Sequence, residues 1–148
     1  MAPEAFQNPA DDDLRKIYDS VSTIAVVGAS GDPGKPSFAI PRQLQGLGYR
    51  IVPVNPKGGE ILGERVYRSL HEVDIPIDVV DVFRPADETP DIAHQAVSAG
   101  AKVLWLQEGI VSEEAARIAQ EGGLTAVMGI CMGHTARRLG ISPRSAAR

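Results

Sequence analysis

Residues 23–37 read TIAVVGASGDPGKPS and combine three features in a fixed order. Residues 23–27 form an apolar run, which is typical of a strand buried on both faces of a parallel sheet. Residues 28–34 carry three glycines, so the backbone there can turn sharply or approach a ligand closely. A helix is predicted to follow at 37–47, with only its first turn before Pro41. Strand, loop and helix in this order predict the start of a parallel βαβ unit.

Four more apolar runs of this kind follow along the chain, separated by turn residues and segments of helical pattern. They are residues 51–54 (IVPV), 79–83 (VVDVF), 103–106 (VLWL) and 125–128 (TAVM). Thr89-Pro90 is interpreted as an N-cap followed by proline at the first helical position, and Ser112 starts a further helix. The alternation predicts an α/β fold, with a doubly wound parallel five-stranded sheet, Rossmann-like, in three α/β/α layers.

The length of 148 residues fits one domain, residues 1–148. Within it we expect a lead-in helix at about 11–20 and a core at about 21–139 that includes Trp105. The small and polar residues at about 141–148 are expected to form a frayed tail.

Charge and composition argue against several classes of protein. The formal net charge is −4, from 15 basic and 19 acidic residues, whereas a general nucleic-acid binder carries a basic face. No apolar run approaches the roughly 20 residues that span a bilayer, and the N-terminus lacks the apolar region of a secretory signal. The single cysteine, Cys131, cannot form an internal disulfide. We therefore expect a cytoplasmic protein that binds neither nucleic acid nor membrane.

The residues that follow the five runs differ from the runs themselves, since they are rich in glycine, proline, polar and cationic side chains. In an open parallel sheet these residues meet at the carboxyl ends of the strands, where ligands bind near the change in strand order. Any βα loop needs turn residues, so one such loop is ambiguous. Five loops at one edge favour a shared ligand crevice.

The glycine-rich loop after the first run is typical of a phosphate-binding turn that leads into a helix N-terminus. It matches neither common motif. Ser30 stands where G-x-G-x-x-G requires its second glycine, while Ala29 and Pro36 replace two essential residues of a P-loop. The loop predicts a phosphate-bearing ligand and gives no support for phosphoryl transfer.

The loop after the second run argues against a simple NAD site. A classical NAD domain carries Asp or Glu there to bind the ribose hydroxyls, whereas this chain has Asn55-Pro56-Lys57. An ammonium group at this point suits an additional phosphate on the ribose. Lys57 is equally compatible with a solvated loop lysine.

Five stretches together resemble the small CoA-binding-domain family, stand-alone relatives of the N-terminal domain of the succinyl-CoA synthetase alpha subunit. The resemblance spans about residues 21–139 and rests on VVGAS-GDPGKPS, GYRIVPVNPKGGEILGERVYRSL, DVVDVFRP, AKVLWLQEGI and AARIAQEGGLTAVMGIC. It implies a Rossmann fold that holds coenzyme A, and the fold itself implies no activity. The synthetase's phosphohistidine lies in a second domain that is not expected in this chain, so no ligase or transferase activity is carried over.

Position by position, the resemblance implies ligand-binding residues in the first four loops. Gly28, Ala29, Ser30, Lys35 and Ser37 would meet the CoA phosphates, Asn55, Pro56 and Lys57 the ribose-phosphate end, Phe83, Arg84 and Pro85 the adenosine, and Gln107, Glu108 and Gly109 the pantetheine arm. The fifth loop departs from the family pattern. Gly129-Ile130 precedes Cys131 where members often carry Asp-Arg, so any role of that pair is in doubt here.

Three residues near these loops have alternative interpretations. Cys131 is either a reactive thiol beside the CoA sulfur or a small buried apolar side chain. Glu108 is either a general base or a strand-end carboxylate bonded to nearby backbone N–H groups. Cys131 and His134 have the spacing of half a zinc site, but no second pair accompanies them, so no metal is expected. No nucleophile–base arrangement can be argued, so no catalytic residue is predicted.

The sequence therefore predicts a protein that binds coenzyme A or an acyl-CoA as a non-catalytic binding, carrier or sensor domain. Its protein partners are expected to be a second copy of itself or an enzyme subunit. Two alternatives stay open. An NAD(P)-dependent oxidoreductase subunit fits the fold, although dehydrogenases usually add a substrate domain. A nucleotide-responsive interaction module would use its ligand to switch a protein contact.

Overall fold

Five parallel strands form the central sheet of the computed structural model, which describes residues 5–144. The described residues contain seven strands, of which β3 and β4 form a separate hairpin. In chain order they are β1 (Thr23–Val27), β2 (Arg50–Val54), β3 (Glu60–Ile61), β4 (Glu64–Arg65), β5 (Val79–Val82), β6 (Val103–Glu108) and β7 (Thr125–Gly129). The sheet has the order β2-β1-β5-β6-β7, and each neighbouring pair is parallel. The predicted five-stranded parallel sheet is therefore confirmed, including the positions of its strands.

Helices cover both faces of this sheet. They are α1 (Asp11–Ser20), α2 (Pro36–Gly46), α3 (Thr89–Ser98), α4 (Glu113–Glu121) and α5 (Met132–Arg138). Buried side chains of α1, α2 and α5 share one hydrophobic cluster, which contains Trp105, and those of α3 and α4 share the other. The predicted α/β/α layering is confirmed, and Trp105 is fully buried as expected.

The β3–β4 hairpin and α5 were not predicted from the sequence, and each of them is short. β3 and β4 form a two-residue hairpin whose turn residues, Leu62 and Gly63, have φ angles of 55° and 76°. Strands of this length show no alternation of polar and apolar residues. α5 spans seven residues and includes Gly133, where a Cβ atom would lie 2.5 Å from the Gln43 side-chain oxygen. This glycine weakens the helical pattern but permits α5 to approach α2 closely.

Pro41 lies in the interior of α2, and the hydrogen bonding around it explains why the helix continues. A proline at this position cannot donate to the carbonyl of Ser37, four residues earlier. That carbonyl accepts instead from the backbone N–H of Ser30, at 3.2 Å. The proline therefore leaves an acceptor that ties the glycine-rich loop to the first turn of α2. The expectation of a single turn before Pro41 agrees with the helix start at Pro36.

The N-termini of α3 and α4 differ in how well the sequence predicted them. The interpretation of Thr89 as an N-cap is wrong, because its hydroxyl donates to the Ala86 carbonyl at 2.7 Å and Thr89 is already helical. A preceding 3₁₀ turn at Ala86–Glu88 supplies that acceptor. Ser112 does cap α4, where its hydroxyl oxygen accepts from the Ala115 N–H at 3.1 Å.

The C-terminal segment corrects another expectation, since residues 141–144 are docked rather than frayed. Arg144 donates its backbone N–H to the Leu47 carbonyl at 2.8 Å, and its guanidinium lies 4.6 Å from the ring centroid of Tyr49. Residues 145–148 of the predicted tail lie outside the described residues. Within residues 5–144, no helix is long and apolar enough to cross a bilayer.

Candidate functional site

The strand order reverses direction at β1, which lies between β2 and β5. At its carboxyl end, Gly28 donates its N–H to the Val54 carbonyl at 3.0 Å, and Phe83 donates to the Val27 carbonyl at 2.9 Å. Gly28 has a φ of +91°, and a Cβ there would lie 2.8 Å from the Phe83 carbonyl oxygen. Only glycine fits this position, where the loops after β1 and β5 lie side by side. Open parallel sheets bind their ligands at such a point.

A cleft of about 760 Å³ opens at this place, and we call it the switch-point cleft. Its walls contain most of the residues that the resemblance assigned to phosphates, ribose and adenosine. They are Gly28, Ala29, Ser30, Lys35, Ser37, Asn55, Pro56, Lys57, Phe83 and Arg84. The structure also brings in Arg68, Ser69, Glu88, Asp91 and Gln95, which the sequence analysis did not single out.

A second cleft of about 570 Å³ adjoins the first, and we call it the apolar cleft. The two share Lys35, Ser37 and Phe83 as wall residues. The remaining walls come from the glycine-rich loop, from α2, from β6 and the loop after it, and from the start of α5: Gly34, Pro36, Ala39, Ile40, Gln107, Glu108, Ile110, Cys131 and His134. Pro85 and Gly109, two further residues of the predicted set, line neither cleft.

The glycine-rich loop is held by its own hydrogen bonds. The Ser30 hydroxyl accepts from Asp32 N–H at 3.0 Å, and the Asp32 carboxylate accepts from Gly34 N–H at 2.9 Å. The N–H of Ser30 is bonded to Ser37, so it is not free for a ligand. Among the described residues, the N–H groups of Ala29 and Ser37 have no acceptor, and both residues lie on the cleft wall. These two amides are the phosphate donors that the loop can offer.

Asn55 organises the second loop, and two cationic side chains lie beside it. The Asn55 side chain accepts from Lys57 N–H at 2.8 Å and donates to the Ala29 carbonyl at 2.7 Å, so it joins the first two loops. Lys57 is exposed at the rim of the cleft. Arg68 donates to the Pro56 carbonyl at 2.8 Å, which places its guanidinium beside the same loop. Arg68 therefore adds a second cationic side chain to the predicted Lys57 on the wall of this cleft.

The third loop contributes Arg84, whose charge is already paired. Its guanidinium makes two hydrogen bonds to the Glu88 carboxylate, at 3.0 and 2.8 Å. These bonds hold the pKa of Glu88 below its usual range. Arg84 remains on the wall of the switch-point cleft, but it offers a ligand less net charge than Lys57 or Lys35.

The fourth loop differs from expectation at Glu108. The interpretation of Glu108 as a carboxylate bonded to backbone N–H groups is wrong, because its side chain is exposed and accepts from no backbone N–H of the described residues; it lies 4.0 Å from the His134 ring. Gln107 is buried, and its amide is bonded inside the protein, to Asp81 at 2.5 Å and to the Met132 N–H at 3.3 Å. Its contribution to the apolar cleft is therefore an uncharged wall.

Cys131 lies at the base of the apolar cleft with 7% of its surface exposed. Burial raises the pKa of its thiol, and the sulfur accepts a long hydrogen bond of 3.5 Å from the His134 N–H. These observations favour the buried, apolar interpretation over a reactive thiolate. The described residues contain no group of three or more His, Cys, Asp or Glu side chains that could hold a metal ion.

Together the two clefts offer chemistry suited to a ligand with phosphates at one end and a less polar arm at the other. Lys35, Lys57 and Arg68 supply positive charge around the switch-point cleft, together with the free amides of Ala29 and Ser37. The adjoining cleft is walled mainly by aliphatic and aromatic carbon.

Comparisons with known proteins agree with this geometry. A family model described as a CoA binding domain matches residues 22–137. The uncharacterized protein YneT of Bacillus subtilis (strain 168) is 40% identical over 127 residues, which are 86% of this chain and 94% of YneT. A solved structure of a hypothetical protein from Pyrococcus horikoshii OT3 has a TM-score of 0.86 and 36% identity, and covers 93% of this chain and 99% of that chain.

A larger relative is an enzyme subunit. The alpha subunit of ADP-forming acetate–CoA ligase I of Pyrococcus furiosus is 35% identical over 130 residues, which are 82% of this chain. The match covers 26% of that subunit. The likeness therefore concerns one part of the ligase subunit and not the whole of it.

Proposed function

This chain belongs to the CoA-binding domain family, and we propose that it binds coenzyme A or an acyl-CoA as a non-catalytic binding, carrier or sensor domain. The observation that carries the proposal is the pair of joined clefts at the sheet's switch point. One is surrounded by cations and free amides, and the other has mainly apolar walls. CoA has the same division, with three phosphates on its nucleotide end and a pantetheine arm on the other.

In the proposed arrangement, the pyrophosphate lies against the N–H groups of Ala29 and Ser37 with Lys35 beside it. A helix N-terminus with free amides favours such an anion. The phosphate on the ribose lies near Lys57 and Arg68, and the adenosine lies between Phe83, Arg84 and the first turn of α3. The pantetheine arm passes Phe83 into the apolar cleft, towards Gln107 and Cys131.

The absence of catalysis is part of the proposal and is supported by the side chains around the apolar cleft. Gln107 is engaged with Asp81, and the pKa of the Cys131 thiol is raised by burial. A thiol that stays protonated is a poor nucleophile. Because the ligase subunit that matches this chain is much longer, a partner enzyme subunit is the kind of protein contact we propose first.

Calorimetry with CoA and with NAD⁺ tests the ligand. We expect CoA to bind and to raise the melting temperature by about 5–10 °C at a hundredfold excess over its dissociation constant, since such binding stabilises by about 2.7 kcal/mol. NAD⁺ is expected to bind much more weakly, because Asn55 stands where a ribose-binding carboxylate is required and its side chain is already bonded. Equal or tighter binding of NAD⁺ would overturn the assignment.

A separate assay tests the absence of activity. Purified protein is incubated with acetyl-CoA, and released thiol is followed with a chromogenic disulfide reagent. We expect no release above the uncatalysed rate. Release that depends on the protein and disappears in a Cys131→Ser or His134→Ala variant would show that the clefts catalyse hydrolysis.

A further inference from the structure

The apolar cleft offers more than a path for the pantetheine arm, because most of its exposed wall is carbon. Ala39 and Ile40 of α2 face it from one side, and Phe83, Ile110 and Cys131 close it from the loops. Phe83, Ile40 and Ile110 are half-buried and also pack against the core. The cleft is therefore an apolar recess whose wall is partly held by the hydrophobic core.

The interior of this recess offers no charge to a ligand. The oxygen and the nitrogen of the Gln107 amide are both hydrogen-bonded inside the protein. Burial raises the pKa of Cys131, so its thiol stays protonated near neutral pH. The other polar groups of the cleft include Lys35, Glu108 and His134, and these belong to exposed residues at its mouth. A polar or ionised group placed in the interior would lose its hydration without gaining a partner.

The position of the recess decides which part of a CoA ligand reaches it. It begins at Lys35, Ser37 and Phe83, where the switch-point cleft ends. A ligand whose phosphates lie at the first cleft extends its arm past Phe83, so the thiol end of the arm arrives at Ile110 and Cys131.

We propose that the apolar cleft binds the acyl chain of a CoA thioester, and that the preferred ligands are thioesters of short, uncharged aliphatic acids. This inference rests on the proposed CoA binding and specifies its ligand class. Acyl groups that end in a carboxylate are disfavoured, because the interior provides no cation to compensate for the lost hydration of the carboxylate.

A ligand series on the unaltered protein tests the proposal by calorimetry. CoA, acetyl-CoA, butyryl-CoA and succinyl-CoA share the nucleotide and the pantetheine arm and differ only at the sulfur. Each fully buried methylene raises affinity by about fourfold. We expect butyryl-CoA to bind about tenfold more tightly than acetyl-CoA, and succinyl-CoA to bind no more tightly than CoA.

Two outcomes of this series separate the inference from the function on which it rests. If none of the four ligands binds, the proposed function fails and the inference fails with it. If CoA binds and the acyl group does not change the affinity, the acyl group points into solvent. The inference is then overturned, while CoA binding stands. Equal gains for butyryl-CoA and succinyl-CoA would also overturn it, since an apolar interior discriminates between them.

A matched pair of variants locates the effect. Ile110→Ala removes part of the cleft wall and is expected to reduce the preference for butyryl-CoA over CoA about threefold or more. Val111→Ala is the control, because Val111 is the adjacent aliphatic residue, is 55% exposed and does not line the cleft. An unchanged ratio of the two affinities in Ile110→Ala, in a protein that still binds CoA, would contradict the placement of the acyl chain.

Discussion

The side-chain amide of Gln107 donates a hydrogen bond to one carboxyl oxygen of Asp81 at 2.5 Å, in the middle of the sheet. The second oxygen of Asp81 has no partner among the described residues, and the whole residue is buried. A buried carboxylate without a compensating cation is unfavourable. Burial therefore raises the pKa of Asp81 to about 7, although the hydrogen bond from Gln107 opposes the shift.

The first prediction is that Asp81 makes the protein less stable as the pH rises. Between the ordinary value of 3.8 and about 7, the folded protein keeps a proton that the unfolded chain releases. The free energy of unfolding should then fall by up to about 1.4 kcal/mol per pH unit in this window. Asp81→Asn cannot ionise and still accepts from Gln107. We expect the free energy of unfolding of Asp81→Asn, measured in urea, to rise relative to that of wild type between pH 5 and pH 8.

Asp78→Asn is a control with the opposite sign. The Asp78 carboxylate accepts from the Ser22 and Thr23 N–H groups at 2.8 and 3.0 Å, and its pKa is lowered. It therefore stabilises the fold at neutral pH and loses this effect in acid. A difference between wild type and Asp81→Asn that does not change between pH 5 and pH 8 would contradict the prediction, because it would show that Asp81 is already ionised in the folded protein throughout this range.

The second prediction assigns the ribose phosphate to Lys57. A charge-assisted hydrogen bond contributes about 1.5–3 kcal/mol, and exposure of Lys57 places the effect near the lower limit. Lys57→Ala should weaken CoA about tenfold and leave dephospho-CoA, which lacks that phosphate, nearly unchanged. Calorimetry on the four combinations forms a double-mutant cycle. The preference for CoA should also decrease with added salt.

Two further variants, at Arg68 and Lys16, complete that experiment. Arg68 lies beside the same loop, so Arg68→Ala should show the same selective loss if both cations contact the phosphate. Lys16 is exposed on α1, away from both clefts, and Lys16→Ala controls for net charge. Equal weakening of CoA and dephospho-CoA by Lys57→Ala would move Lys57 to the pyrophosphate. If neither Lys57→Ala nor Arg68→Ala changes the affinity for CoA, Arg84 remains as the candidate for contact with the ribose phosphate.

The third prediction concerns the reactivity of Cys131. The thiolate is the species that reacts, and burial raises the pKa of this thiol. Alkylation by iodoacetamide at pH 7, followed by intact mass, should be at least about tenfold slower in the folded protein than in urea. CoA disulfide should likewise form little mixed disulfide. Rapid formation of a protein–CoA disulfide in the folded state would restore the interpretation of Cys131 as a reactive thiol.

The fourth prediction separates two costs of replacing glycine at the switch point. Gly28 and Gly123 have nearly the same φ angle, at +91° and +88°. A Cβ at Gly123 meets nothing within 4 Å, whereas one at Gly28 meets the Phe83 carbonyl at 2.8 Å. Gly123→Ala should cost about 1–2 kcal/mol of unfolding free energy, and Gly28→Ala about 1–3 kcal/mol more. Equal losses in denaturant unfolding would mean that the two loops separate easily.

The sequence predicted the parts of this structure that depend on local pattern. The runs at 23–27 and 79–83 were identified as strands because short, mainly apolar runs bounded by turn residues are typical of buried strands. The rule that ligands bind at the carboxyl ends of parallel strands then pointed to Lys35, Lys57 and Phe83, which the structure places around the two clefts.

Residues whose position depends on tertiary contacts could not be predicted in this way. Arg68 reaches the second loop because Tyr67 forms an isolated bridge to Val54, far from it in sequence. Glu108 and Gln107 are adjacent at the end of β6, yet one is exposed and the other turned to Asp81. The sequence did contain a signal for the buried position of Asp81, because this residue is a carboxylate inside an apolar run. A charge at a position buried on both faces requires an internal partner.

The strand order also has a consequence for how the chain is made. β1 is the first strand to be synthesised, but it occupies the interior of the sheet, where Ile24 pairs with Ile51 on one side and Val79 on the other. At about 5–20 residues per second, the ribosome needs about 3–11 s to extend the chain from residue 24 to residue 79. During that interval one edge of an apolar strand has no neighbour, and such edges recruit other chains. The wait for β5 is therefore a stage of biogenesis at which the growing chain is open to aggregation.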